Sequence, residues 1–502
     1  MQLLISKRAV KLGVVAAFIL VHLTFLTYAR LITYPAPKVN FRSNAYTVKV
    51  SETGRNWQSV DLYYANVAHT IGTCTTAEKT TFGYFDCDGK VNVEITVSGR
   101  SALKAVKIRP EAFHIQPVVK GNKITFSMHG NQNLSVEVDG NVFDNLQIFA
   151  NEIDPVVPPK RDTSVLYFGP GVHHIGQVVL SSGKKVYIAG GAVVEGSFRV
   201  DHAENIRISG HGILTQFGNP DEPSRQKSLT RPVGKGRNDD IIIDFSRNVI
   251  VDGLIVLPHK YSLLIGSSKN VNVSNMKSFS SEGNADGIDI FCSEDITLRH
   301  IFMRNADDCI AIYGHRWGYY GNTRRVKVED AVLWANVAHP VLIGTHGDTV
   351  HPDTLEKIHF TNVAILGQHE NQLDYQGCLA LNAGDSNLIR DIVFENVTID
   401  SVSKGQLFNL RVMFNHKYNT SPGGGIQDVL FKNVTFEGRC APLSIIAGYD
   451  DARSIKNITF ENLRIGGTTI TDDMPAKPGF YKTGDMANIF IGEHVEDLKF
   501  IP

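Results

Sequence analysis

Net charge is almost missing from this chain: 50 basic residues stand against 51 acidic ones, a formal charge of −1 at pH 7. That balance excludes broad attraction to nucleic acid or to acidic membrane surfaces. Cysteine is sparse as well. Of six, Cys292, Cys309, Cys378 and Cys440 are scattered with no metal-ligand spacing, so neither a metal nor a cofactor is expected. Only Cys74 and Cys87 are near neighbours in sequence, and a local disulfide between them would fit an oxidising compartment. Glycine, by contrast, is frequent at 44 residues, which fits many turns. The balance of 42% hydrophobic and 20% charged residues is that of a globular protein, and 502 residues suffice for more than one domain.

Residues 1–35 stand apart. Lys7, Arg8 and Lys11 precede a mostly apolar run from Leu12 to Ala29, the pattern of a secretory signal peptide or an uncleaved signal anchor. Either one exports the rest, so the chain is expected to be secreted, extracellular or periplasmic, with anchoring through residues 12–29 as the alternative. Asn-x-Ser/Thr occurs at Asn133, Asn272, Asn396, Asn419, Asn433 and Asn457. In a eukaryotic secretory path some of these would carry glycans, although Asn-Val-Thr is also plain strand-edge sequence.

Residues 36–160 alternate apolar and polar side chains in short runs, among them Tyr46–Val50, Val91–Val97 and Lys123–Met128. Period two, broken by Gly, Asn and Asp, predicts an antiparallel β-sandwich. Asp154-Pro-Val-Val-Pro-Pro-Lys160 then reads as a stiff linker between separable domains. Residues 161–502 repeat a different unit, opened by Asn205, Asn248, Asn270, Asp295, Arg325, Lys357, Asp391, Asp428 and Asn457 at spacings of 22 to 43 residues. Several short strands per irregular period predict a parallel β-helix of about nine or ten coils. The unequal periods argue against a propeller.

Asn284-Ala-Asp-Gly287 and Asn305-Ala-Asp-Asp-Cys309 carry the chemistry. Asp286 and Asp307 are 21 residues apart, close to one coil, so Asp286, Asp307 and Asp308 should share one patch of surface. Clustered carboxylates cannot all ionise freely, and a protonated acid beside an ionised base is what glycosidic hydrolysis requires. Asn238-Asp239-Asp240 has the same composition but reads as an ordinary turn, so Asp239→Asn is expected to be nearly silent.

Asn284-Ala-Asp-Gly287, then Asp307-Asp308, then Ala338-His339-Pro340 one coil on, resemble the catalytic motifs of glycoside hydrolase family 28, the polygalacturonases. These are right-handed parallel β-helices of pectin-lyase-like fold. Here Ala285 replaces the usual Thr, and Ala-His-Pro replaces Gly-His-Gly. The sandwich ahead of the β-helix is similar to the layout of family 49, the dextranases and isopullulanases. The resemblance implies an inverting hydrolase. Asp307 would be the general acid, Asp286 and Asp308 would hold and activate the water, and His339 would bond near the acid. Inversion implies a gap of roughly 6.5–9.5 Å between acid and base.

The insertion Tyr313–Tyr320 follows the aspartate pair. His315, Arg316, Trp317, Tyr319 and Tyr320 could offer rings and a cation to sugars, or simply pack over the helix. His346 and Asp348 could line the cleft or cap a turn. Polygalacturonases carry Arg-Ile-Lys further on to grip a substrate carboxylate, whereas Gln376–Leu381 here offers Leu379 and Leu381. Arg411, one coil later, could substitute. A pectic, uronate-bearing polymer is the expected substrate, with a neutral α-glucan or a non-catalytic carbohydrate-binding β-helix as the alternatives. A monomer is expected.

Overall fold

The computed structural model describes residues 30–155, 157–159, 162–216, 239–475 and 477–502. The apolar run from 12 to 29, with its expected role in export, lies outside the described residues, as does Asn238. Among the described residues no helix is long and apolar enough to cross a membrane.

The structure is all-β. Two antiparallel-rich sheets come first. One holds Leu31–Thr33, Leu62–Ile71, Cys74–Cys87, Val106–Arg109, Gln132–Val138 and Asn141–Asn151; the other holds Tyr46–Glu52, Gln58–Val60, Lys90–Val97, Val118–Lys120 and Lys123–His129. Their facing sides bury Val48, Val50, Val93, Ile95, Leu134 and Ile148, the alternate residues of each strand, as period-two patterning requires.

From Val165–Phe168 to Val495–Ile501 the described residues form one parallel β-helix in a 29-stranded sheet, its strands pairing in parallel from coil to coil except for the antiparallel pair Leu463–Ile465 and Thr468–Ile470. Inward residues stack in columns. Phe360, Phe394, Phe431, Phe460 and Phe500 lie ring on ring at 5.0, 5.2, 4.8 and 4.9 Å. The residues that open each repeat have a common physical origin: Asn205, Asn248, Asn270, Asp295, Asp391, Asp428 and Asn457 all adopt positive φ, between 54° and 60°. Short polar side chains tolerate this left-handed turn best. A second turn repeats the device as an amide ladder. Asn362 donates to Asp330 (3.0 Å), Asn396 to Asn362 (3.1 Å), Asn433 to Asn396 (2.9 Å) and Asn462 to Asn433 (2.9 Å). Two of the Asn-x-Thr sites, Asn396 and Asn433, therefore use their side-chain amides as rungs, and Asn133 and Asn419 are buried.

One expectation fails. Cys74 and Cys87 are free thiols at opposite ends of a single 14-residue strand. At about 3.3 Å per residue they are about 40 Å apart, far beyond a disulfide's reach. The sandwich and the β-helix bury a shared apolar face, with Phe41, Tyr63, Phe82 and Phe149 against Ile213, Phe279, Phe302, Trp334 and Leu366. His211 bonds Asp86 across it at 2.7 Å, and Arg109 donates to the Leu366 carbonyl.

Candidate active site

The two aspartate motifs occupy one edge of the β-helix, where the coils turn into strands Ile288–Phe291 and Ile310–Tyr313. Backbone bonds fix the stacking. Ser262 donates to the Asp286 carbonyl (3.0 Å), Gly287 to that of Asp308 (2.8 Å), and Cys309 to that of His339 (2.8 Å). Tyr261, Asp286, Asp308 and His339 thus hold equivalent places in successive coils. Gly287 is required by close approach, since a Cβ there would strike the Cys309 carbonyl and the Asn305 side chain.

The coil spacing brings the three aspartates together: one carboxylate oxygen from each of Asp286, Asp307 and Asp308 lies within 4.8 Å of the others. This is tighter than the roughly 6.5–9.5 Å gap associated with inversion, so the spacing alone does not select the stereochemistry. Oxygens at this spacing could also ligate a cation, although an acidic cluster by itself does not call for one.

Each carboxyl has a different setting. Asp308 receives three donors: the His339 ring Nδ1 (2.7 Å), the His339 backbone N–H (3.1 Å) and the Tyr313 hydroxyl (3.1 Å). Asp307 accepts from the backbone N–H groups of Asn284 and Asp308, both at 3.1 Å. Burial and then the Asp308 charge push its proton affinity up, to a pKa of about 7. Asp286 is driven upward by burial and then by the carboxyls of Asp289, Asp307 and Asp308, with Arg316 opposing. Its Oδ1 is buried with no hydrogen-bond partner among the described residues.

His339 is completely buried, and its other nitrogen, Nε2, meets the Tyr375 carbonyl at 3.1 Å. Both ring nitrogens face oxygens that can accept, an arrangement that a doubly protonated imidazolium satisfies. Burial disfavours that charge, but Asp308 in contact more than offsets it and leaves His339 above its ordinary value. The histidine therefore bonds to Asp308 and not to Asp307, which it influences only by charge. This is a site that can hold one acidic proton beside ionised partners near neutral pH.

The 313–320 insertion divides. Arg316 lies over the Trp317 ring at 4.4 Å; burial opposes its charge, while Tyr261 and Tyr313, then Asp289 and Asp286, leave it raised. Trp317 is half-buried against Phe291, with centroids 5.2 Å apart. Tyr319 is turned away from the aspartates: it is buried, and its hydroxyl donates to Asp244 at 2.6 Å. Tyr320 is 65% exposed and stacks on His315 at 4.1 Å. His346 packs on Tyr313 at 5.1 Å and is kept neutral by burial and then by Arg316. Asp348 caps a turn, accepting from Val350 (2.8 Å) and His351 (3.0 Å).

Two readings need correction. Leu379 and Leu381 point inward, into the core column with Val341, Ile343, Phe408 and Leu410. The positions facing out on that strand are Ala380 and Asn382, so the rung is still uncharged. Arg411 is in register with Asn382 and donates to the Asp374 carbonyl at 2.9 Å. Asp239 and Asp240 do lie outside the strands, ahead of Ile241–Asp244, but the turn is covered and not an exposed one. Both are fully buried; Asp239 accepts from the Tyr261 N–H (3.3 Å) and Asp240 from Gln216 (2.8 Å). Asp240 donates its own N–H to the Tyr261 carbonyl, which places Asp239 in the same column as Asp286, two coils earlier.

Sequence reasoning missed Asp289, Tyr261, Tyr375 and Asp353. Asp353 ties the insertion down by accepting from the N–H groups of His315 (2.6 Å) and Asp348 (3.0 Å). A signal for Asp289 was present: it is three residues after Asp286, on the outward phase of the strand.

Known proteins bear on this geometry. A dextranase of Arthrobacter globiformis is 20% identical over 368 residues, covering 62% of this chain and 55% of that protein. A polygalacturonase of Juniperus ashei is 25% identical over 246 residues, covering 46% and 44%. The chain spans about half the length of the curated relatives it matches. Dex49A from Penicillium minioluteum shares the fold from end to end, with a TM-score of 0.58 at 16% identity over 94% of this chain and 96% of that one. The sequence model of glycosyl hydrolases family 28 matches residues 175–477. That span contains every coil carrying the three aspartates and the buried histidine, and the chain belongs to glycosyl hydrolases family 28.

Proposed function

We propose that this protein hydrolyses the glycosidic bonds of a uronate-bearing polysaccharide with inversion of the anomeric centre. One observation carries the reading: three carboxyls share a patch within 4.8 Å, one of them with its pKa raised to about 7. Asp307 gives its proton to the leaving glycosidic oxygen as the bond to the anomeric carbon breaks. A water held by Asp286 and Asp308 attacks that carbon from the opposite face and passes a proton to the ionised member of that pair. The imidazolium of His339 holds Asp308 in place throughout.

Inversion rests on the family resemblance. The acidic substrate is supported by Arg316 beside the carboxyls and by the likeness to a polygalacturonase. A neutral glucan is the second reading, favoured by uncharged Ala380 and Asn382 on the outward rung and by the likeness to a dextranase. Export rests on Lys7, Arg8, Lys11 and the apolar run that follows.

The test is reducing-sugar release by purified protein from galacturonan, dextran and related glycans, with Asp307→Asn as control and NMR of the first-formed anomer. Activity on neutral glycans alone, unchanged in Arg316→Ala and Arg411→Ala, rules out the acidic substrate. Product absorbing in the ultraviolet would instead indicate a lyase.

A further inference from the structure

Arg304 leads the fully buried side chains by volume among the described residues. It lies on strand Phe302–Asn305, in register with Phe279 and Trp334, and its guanidinium sits 3.8 Å from the Trp334 ring centroid. Its donors run in two directions. Nη1 reaches Asn145 Oδ1 (2.9 Å) and Thr80 Oγ1 (3.4 Å), and Nη2 reaches the Val142 carbonyl (2.6 Å), all in the sandwich. Nε donates to Asn336 Oδ1 (3.0 Å) in the β-helix.

From there a buried chain of bonds leads to both aspartate turns. The Asn336 N–H donates to the Asn305 carbonyl (2.9 Å). The Asn305 side-chain amide donates to Ser278 (3.0 Å) and Ser280 (3.1 Å). Ser280 donates to the Ala285 carbonyl (2.6 Å), one residue before Asp286, and accepts from the Ala306 N–H (2.9 Å), one residue before Asp307. Ser262, 2.5 Å from Ser278, donates to the Asp286 carbonyl (3.3 Å). A single serine thus ties the two turns whose carboxyls must keep their spacing, and the asparagine that orients it follows Arg304 directly.

We propose that Arg304 is a positioning residue through which the docked sandwich sets the spacing of Asp286 and Asp307, making the sandwich a working part of the catalytic site. This rests on the hydrolase reading above. The interface supplies its own control in Arg109, which is equally buried, lies 4.5 Å from the same Trp334 ring and bonds Glu137 at 2.7 Å. Its contact with the β-helix backbone is at Leu366, away from the aspartate turns.

In the full chain, Arg304→Lys should lower kcat by about 10- to 100-fold with little change in KM, because displacements of an ångström or less at reacting groups cost rate and not binding. It should also move the alkaline limb of kcat/KM. Arg109→Lys should lower the melting temperature comparably and leave kcat and the limb unchanged. If Arg304→Lys does not fold, Asn145→Ala removes the sandwich acceptor and should act in the same direction. Infrared difference spectra of the Asp307 carboxyl, against Asp307→Asn, read the altered titration without turnover. Unchanged kcat, limb and carboxyl titration in the Arg304 and Asn145 variants, with Asp307→Asn inactive, overturns the coupling. An active Asp307→Asn overturns the hydrolase reading instead, and the infrared titration then still decides whether Arg304 controls the carboxyl.

Discussion

Two stacks of short polar residues run along the same β-helix and end in opposite states. The ladder of Asp330, Asn362, Asn396, Asn433 and Asn462 repeats an amide that both donates and accepts, so each rung satisfies the next at 2.9 to 3.1 Å. The column of Asp239, Tyr261, Asp286, Asp308 and His339 repeats the coil geometry with carboxyls that only accept when ionised. Burial and then the crowding of carboxyls at this edge raise the proton affinity of Asp286 in the column and of Asp307 beside it. Stacking identical amides yields stability; stacking carboxyls stores proton chemistry.

Substitutions in each stack test that contrast. The largest effect is expected at Asp307→Asn, which keeps the shape but cannot give a proton; kcat/KM should fall by about 10²–10⁴-fold with the melting temperature nearly unchanged. Asp286→Asn and Asp308→Asn should lose activity similarly. Next is His339→Gln, which leaves Asp308 buried without its cation. Removing one partner of a buried pair costs about 3–5 kcal/mol, read by denaturant unfolding.

The third test is pH. The acid works only while protonated, and Asp307 is raised to about 7, so kcat/KM should hold below that value and fall tenfold per unit above it. Loss of the His339 charge, which favours the ionised acid, should move this limb upward. The smallest effect is expected in the ladder. Asn396→Ala should cost about 1–2 kcal/mol through the lost bond and the left-handed turn, with kcat unchanged. An Asn396→Ala that alters the pH limb would erase the distinction between the stacks.

Legibility followed the same division. The aspartate site could be read because a coil converts spacing along the chain into contact: residues 21 apart become neighbours. His339 was legible for the same reason. The outward phase of Leu379–Ala383 was not, because that strand is buried on both faces, and a uniformly apolar run carries no in–out signal. Cys74 and Cys87 misled because nearness in sequence was read as nearness in space, while the intervening residues are fully extended. Asp239 read as an ordinary turn because nothing in Asn-Asp-Asp tells which turns a neighbouring coil covers.

Taken alone, the sequence determined the class of fold and the three carboxyls on one edge, since these depend on a repeat. Only the tertiary structure decided that His339 pairs with Asp308, that Tyr319 turns to Asp244, and that Arg304 joins the sandwich to the aspartate turns. The Arg304 contacts link residues up to 224 positions apart across a shared buried face, and no periodicity records which distant surfaces will exclude water together.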